Sequence, residues 1–203
     1  NSESEFFGII QSVVEFSVNG GVLNNSINLE LSGNSSEEKI IFTTDTYDPS
    51  DNSNLYENSL NISENTVIRA KIIRDNYIPS DTETRTYIFN DDYNLPVISL
   101  VSNNDDLFDE KDGIYVKGEN AESNWPYYGS NFWKDIEIPV HFSYYDQNGS
   151  LSVNLNAGLK IFGGTSRSNE QRSFSVHKRN KYSSKKIKYP FVKNMSTNIS
   201  SVS

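Results

Sequence analysis

The chain has 203 residues, with 18 Lys and Arg against 27 Asp and Glu for a net charge of −9, and no cysteine. Its 12 Tyr, 11 Phe and 2 Trp exclude a disordered chain, which is poor in aromatic residues, and the lack of Cys excludes disulfide scaffolds, Cys-ligated zinc and thiol nucleophiles. No apolar run approaches the roughly 20 residues that span a bilayer as a helix, so no transmembrane segment is expected.

In chain order, the first half predicts about six short strands. "VVEFSV" opens the series, and "INLELS" puts Ile27, Leu29 and Leu31 on one face. "KIIFTT" and "ENSLNIS" follow, set apart by the polar turns "SGNSSEE" and "DTYDPSDNSN". "TVIRAKIIRD" turns Ile68, Ala70 and Ile72 inward and Arg69 and Lys71 outward, and "TETRTYIF" closes the set. Short alternating strands separated by Gly, Asn and Asp turns indicate a β-sandwich.

A boundary is expected at "NDDYNLP", a polar stretch whose proline forces extended backbone before it; it divides the chain into domains at residues 1–90 and 91–203. Beyond it, "PVISLVS" is a fresh strand, and "NDDLFDEKDGIYVKG" supplies a turn and a short strand. "DIEIPVHFSYYDQNGSLSVNLNAGLKIFGG" reads as a long hairpin, its "DQNG" carrying the Asn-Gly pair favoured in type I′ turns. "RSFSVHK" and "KIKYPF" would be further strands, so the fold class is mostly β. The start at Asn1 and the uncapped run "NMSTNISSVS" read as a segment of a longer protein from which any signal peptide has gone.

Charge is split along the chain. Residues 1–157 hold 8 Lys and Arg against 26 Asp and Glu, whereas residues 158–203 hold 10 against the single acid Glu170. Such asymmetry points to an interaction surface in the basic part, or to a basic segment that packs against acids of the same protein. A nucleic-acid partner is not expected, because the acidic remainder would repel a polyanion.

Smaller constellations carry less. Asp105, Asp106, Asp109, Glu110 and Asp112 do not follow the spacing of a calcium loop and read as a solvated turn, as do Asp45 and Asp48. His141 and His177 lie on separate strands, and no G-x-S-x-G elbow is present. Trp125, Tyr127, Tyr128, Phe132 and Trp133 form an aromatic cluster that reads as a packed surface loop or a sugar-stacking patch.

Two resemblances follow from ordered motifs. Thr43-Thr44-Asp45, Asp48-Pro49, Leu55-Tyr56, Thr66-Val67-Ile68-Arg69-Ala70 and Tyr77-Ile78-Pro79-Ser80, within residues 13–89, resemble the chitobiase/β-hexosaminidase C-terminal type of Ig-like domain, with Thr46 where that family has Gly. Over residues 95–193, "LPVISLVSNNDDLFDEKDGIYVKG", "IPVHFSYYDQNGS", "NAGLKIFGGTSRSNEQRSFSVHK" and "KIKYPF" resemble the opening part of a CotH-type, spore-coat kinase-like protein.

The second resemblance implies an atypical kinase fold, here its β-rich N-terminal portion, that uses ATP with Mg²⁺ or another divalent metal to phosphorylate protein Ser residues. The family's metal-binding and catalytic carboxylates are expected downstream of residue 203. The segment is therefore expected to hold no catalytic residue and no metal ligand, to take no cofactor alone and to be inactive alone. Gly163 and Gly164 would let backbone approach a phosphate, Thr165 and Ser166 could donate to it, and Arg167 and Arg172 offer planar forks; Gly163, Gly164, Ser166, Arg167 and Arg172 are the nucleotide-binding candidates. The family's Lys-Lys-Ser step is Gln171-Arg172-Ser173 here, which replaces a compact ammonium by a guanidinium. Location in a secreted or bacterial cell-surface protein is implied, with the protein substrate or surface partner left open. The alternative is a cell-surface binding or structural module, for adhesion or carbohydrate contact, without catalysis.

Overall fold

A computed structural model of the protein describes residues 6–89 and 94–183. The described residues form two units: unit 1 runs to Val97 and includes Tyr145–Leu151, and unit 2 comprises Ile98–Tyr144 and the chain from Ser152 onward. "KIKYPF" lies outside the described residues.

Unit 1 is built from β1 (Gly8–Ile9), β2 (Glu15–Phe16), β3 (Gly21–Leu23), β4 (Ile27–Leu29), β5 (Leu31–Ser32), β6 (Lys39–Thr43), β7 (Asn54–Leu55), β8 (Leu60–Ile62), β9 (Thr66–Ile73), β10 (Tyr77–Ile78) and β11 (Glu83–Phe89). A five-stranded sheet runs in the order β3-β11-β9-β6-β7. In it β11 pairs parallel with β3 and antiparallel with β9. Small pairs β2–β5 and β4–β8 supply the opposing layer. Ile40, Phe42, Ile68, Ala70, Ile72 and Tyr87 from the large sheet meet Phe16, Leu29, Leu31 and Ile62 from the small pairs in one core, which makes the unit an Ig-like β-sandwich. Tyr87 crosses that core and donates its hydroxyl to Val18 O at 2.8 Å; burial pushes the hydroxyl above the ordinary tyrosine range.

The alternation expected for "TVIRAKIIRD" holds: Ile68, Ala70 and Ile72 are fully buried, while Arg69 and Lys71 reach across to Asp48 at 2.8 and 3.3 Å. "INLELS", expected as one strand, is two. Glu30 breaks it, its backbone N–H and C=O taken by Ser17, so β4 pairs with β8 and β5 with β2.

Unit 2 is a four-stranded sheet in the order β12 (Val97–Val101), β13 (Ile138–Tyr145), β14 (Leu151–Phe162) and β15 (Ser173–His177), with one helical turn, α1 (Asn104–Phe108). One face of β14, comprising Val153, Leu155, Ala157, Leu159 and Ile161, packs with Ile138, Val140, Ile114 and Phe132 into the core of this unit. The expected strand at "GIYV" does not form. Ile114 and Tyr115 instead donate their amides to Asp106 O and Leu107 O of α1, which places Ile114 in the core from a loop.

The hairpin turn also differs from expectation. Only Gly149 of the Asn-Gly pair has positive φ, whereas type I′ needs it at Asn148 as well. Gly149 N donates to Asp146 O and Asp146 N to Ser150 O, the pattern of a type I turn closed by a left-handed Gly.

Thr46 takes φ +72°, the left-handed conformation that suits the Gly of the resembled family. The turn is held from several sides: Arg69 Nη1 donates to Thr46 O at 2.6 Å, Thr43 Oγ1 to Tyr47 O at 2.6 Å and Tyr47 N to Asp45 Oδ1 at 3.2 Å. A β-branched residue in this region costs about 1–3 kcal/mol, more than the roughly 0.5–1 kcal/mol of extra chain entropy that Gly would lose on folding. Thr46→Gly is therefore expected to raise the stability of unit 1 by about 1 kcal/mol in urea unfolding. A loss of stability would mean that the threonine is unstrained there.

Candidate functional site

The basic stretch begins on β14 and continues through β15. Part of its charge is answered locally by two carboxylates that stand two apart just ahead of β13. Lys160 pairs with Asp135, which holds that carboxyl below its ordinary range. Glu137 is the larger hub. Arg179 Nε and Nη2 each approach Glu137 Oε2 at 2.8 Å, Lys181 Nζ lies 3.1 Å from Oε1, and Tyr182 donates to Oε1 at 3.1 Å. The hydrogen bond from Arg179 is the chief cause that brings the Glu137 carboxyl down to about 2, against an opposing push from burial. Gly158 makes the geometry possible: a Cβ there would stand 2.6 Å from Glu137 Cδ, so a side chain on β14 would push the carboxylate away.

The nucleotide-binding candidates fall into two groups. Gly163, Ser166 and Arg167 close on one another in the link between β14 and β15. Gly163 has φ +121°, a conformation few other residues adopt, and Arg167 Nε donates back to Gly163 O at 2.6 Å. Gly164 is exposed with open space beside it, and Ser166 sits exposed in the one-turn 3-10 helix Thr165–Ser168. Arg172 is placed by different residues. Its guanidinium lies 4.2 Å from the Phe132 ring centre and 4.7 Å from that of Tyr115. Its backbone N–H donates to Tyr115 Oη at 3.2 Å, and Tyr115 Oη donates to Glu170 O at 3.1 Å. Among the described residues Arg172 forms no ion pair, its buried Nε has no hydrogen-bond partner, and Nη1 reaches only Glu170 O at 3.5 Å. It is a planar cation set beside two aromatic rings.

Sequence reasoning did not identify Asp135, Glu137, Tyr115 or Phe132 as parts of this site. Asp135 and Glu137 stand two apart beside a strand, so they share a face, which is a readable signal. Nothing in the sequence places Tyr115 and Phe132 on Arg172, since one comes from a loop and the other from a one-turn 3-10 helix, both far along the chain.

The remaining polar candidates are engaged. His141 is buried with its ring nitrogens 2.7 and 2.6 Å from Asn156 and Asn154 Oδ1, and His177 Nε2 is 2.9 Å from Ser175 Oγ. The Asp109 carboxylate accepts the amides of Lys111 and Asp112, each at 2.9 Å, as a turn-former does. In unit 1 an open cleft of about 520 Å³ is lined by Glu37, Arg74, Asp75 and Tyr77 among others, with Arg74 paired to Glu37 and lying 4.6 Å over Tyr77.

Comparison with known proteins finds a likeness for part of unit 1. Residues 18–86 match the family model of the chitobiase/beta-hexosaminidase C-terminal domain. No curated protein and no solved structure matches the chain. The matched stretch spans β3 to β10 and the first four residues of β11, together with the Thr46 turn and the Arg69–Asp48 pair. None of the described helices is long and apolar enough to cross a membrane.

The lowered Glu137 carboxyl makes the stability of unit 2 pH-dependent in a defined sense. Its folded value of about 2 lies below the ordinary 4.5, so the contribution is complete above pH 4.5 and disappears as pH falls toward 2. Glu137→Gln is expected to lower stability at pH 7 by roughly 1–2 kcal/mol, a modest figure because Arg179 and Lys181 are half exposed and can rehydrate. The gap between wild type and variant in urea melts should close between pH 4.5 and 2; a gap independent of pH would assign the loss to packing.

Proposed function

We propose that unit 2 is the front portion of a CotH-type kinase-like domain in a secreted or bacterial cell-surface protein, with Arg172 as the cation that meets the phosphates of ATP. The supporting observation is the state of Arg172: among the described residues its guanidinium lies against the rings of Tyr115 and Phe132, and no carboxylate pairs with it. Cations and backbone donors arranged around phosphate are what phosphoryl transfer asks of a protein, and a guanidinium preset by two rings loses little freedom on binding. Gly164 and Ser166, eight and six positions before Arg172, are exposed and carry a backbone N–H and a hydroxyl. Arg167 fits less well, because its Nε is bonded to Gly163 O.

The phosphate side of ATP thus fits the residues present. For the divalent metal, no group of three or more His, Asp or Glu comes together among the described residues, and the resemblance places those carboxylates downstream of residue 203. On this reading Mg²⁺ neutralises phosphate charge when bound, while the residues of unit 2 hold and orient the nucleotide.

A second reading, a cell-surface binding or structural module without catalysis, draws on the match of residues 18–86 to a domain type named for the C-terminal part of glycosidases.

The deciding measurement is calorimetric titration of the encoded protein with ATP and Mg²⁺. Arg172→Ala is expected to weaken binding at least tenfold, about 1.4 kcal/mol. Arg172→Gln, which keeps much of the stem over Tyr115 and Phe132, should lose as much while its unfolding midpoint stays near wild type. Equal affinity in both variants would remove Arg172 from the site, and no ATP binding by the wild-type protein would remove the kinase reading.

A further inference from the structure

The loop from Glu119 to Trp133 in unit 2 leaves two aromatic rings in solvent while fixing the backbone beneath them. Trp125 is 60% exposed and Tyr128 50% exposed. Trp125 and Pro126 occupy the centre of a turn closed by Tyr127 N donating to Asn124 O at 2.7 Å. Pro126 O accepts from Trp133 Nε1 at 2.9 Å and also from Ser168 Oγ. Tyr128 O accepts from Glu122 N at 2.8 Å, and the Tyr128 ring lies 5.0 Å from that of Trp133.

Between the two exposed rings, Tyr127 takes φ +59°, a left-handed conformation that strains an aromatic residue. Strain of this kind persists where the surroundings over-determine it, and it gathers at binding sites.

We infer that Trp125 and Tyr128 form a stacking platform for a neutral saccharide. The exposed rings amount to roughly 150 and 100 Å². That is far below the roughly 800 Å² per partner of a stable protein–protein interface, and it suits the flat C–H face of one or two pyranose rings. The rim agrees. Glu119, Asn120, Glu122, Ser123 and Asn124 are all exposed on the same loop, and they supply acceptors and donors for ring hydroxyls. The cation of the loop's approach, Lys117, lies 3.4 Å over the Tyr127 ring. With two carboxylates on the rim, a phosphate, a nucleic acid or an anionic membrane would be repelled. A hydroxyl-rich neutral ring with one apolar face meets every group present. The platform uses none of the residues assigned to phosphate.

The test is an array of neutral and anionic oligosaccharides probed with the full chain, followed by titration of the retained sugar. Retention of at least one neutral pyranoside is expected. Trp125→Ala should weaken that binding at least tenfold with an unchanged thermal midpoint, since the ring is mostly in solvent. Tyr128→Phe should keep the binding and Tyr128→Ala should weaken it, because the face of the ring and not its hydroxyl makes the contact. Retention of anionic sugars alone, undiminished binding by Trp125→Ala, or no retained sugar at millimolar concentration would each overturn the assignment.

Discussion

Each unit depends on one long strand with two unlike faces. On β14 the odd positions Val153 to Ile161 are buried in the core, and the even positions carry Ser152, Asn154, Asn156, Gly158 and Lys160. A strand with one apolar face must keep its register, because a slip of one residue would put Lys160 into the core and Leu159 outside. The polar face is then a consequence of the apolar one. It brings Asn154 and Asn156 to His141, makes room at Gly158 for Glu137, and aims Lys160 at Asp135. In unit 1, β9 does the same with Ile68, Ala70 and Ile72 on one side and Arg69 and Lys71 on the other.

The cations of the basic stretch do not behave as one patch. Among the described residues, Lys160, Arg179 and Lys181 are matched by Asp135 and Glu137, so that part of the positive charge is answered within the unit. Arg172 is different because aromatic rings hold it where a carboxylate could have. Rings beside a guanidinium leave its charge in place, whereas a carboxylate would consume both charge and donors. The aromatic loop follows a similar rule. Several of its backbone groups are bonded within the unit, which fixes the chain beneath its outward rings.

Periodicity made the strands readable. "TVIRAKIIRD" and "SLSVNLNAGLKIF" alternate over many residues, and β9 and β14 form where they alternate. The pairs β1–β10 and β2–β5 have only two residues per strand, too few for a pattern, and Glu30 divides a run whose alternation is unbroken. "GIYV" has strand composition, yet α1 takes its amides first. The Asn-Gly pair signals a turn in either case; which turn forms depends on whether Asn148 or only Gly149 goes left-handed.

The sequence by itself determined a mostly β chain, the inward faces of its long strands, the chitobiase-type stretch, and a basic segment that follows an acidic one. Those properties are set by side-chain period, turn residues and charge, which act over neighbouring positions. Only the tertiary structure decided which cations stay unpaired and which rings stay in water. Tyr115 and Phe132 reach Arg172 from 57 and 40 positions away, and Glu137 reaches Arg179 across 42. Such meetings depend on the packing of loops, for which local sequence carries no period.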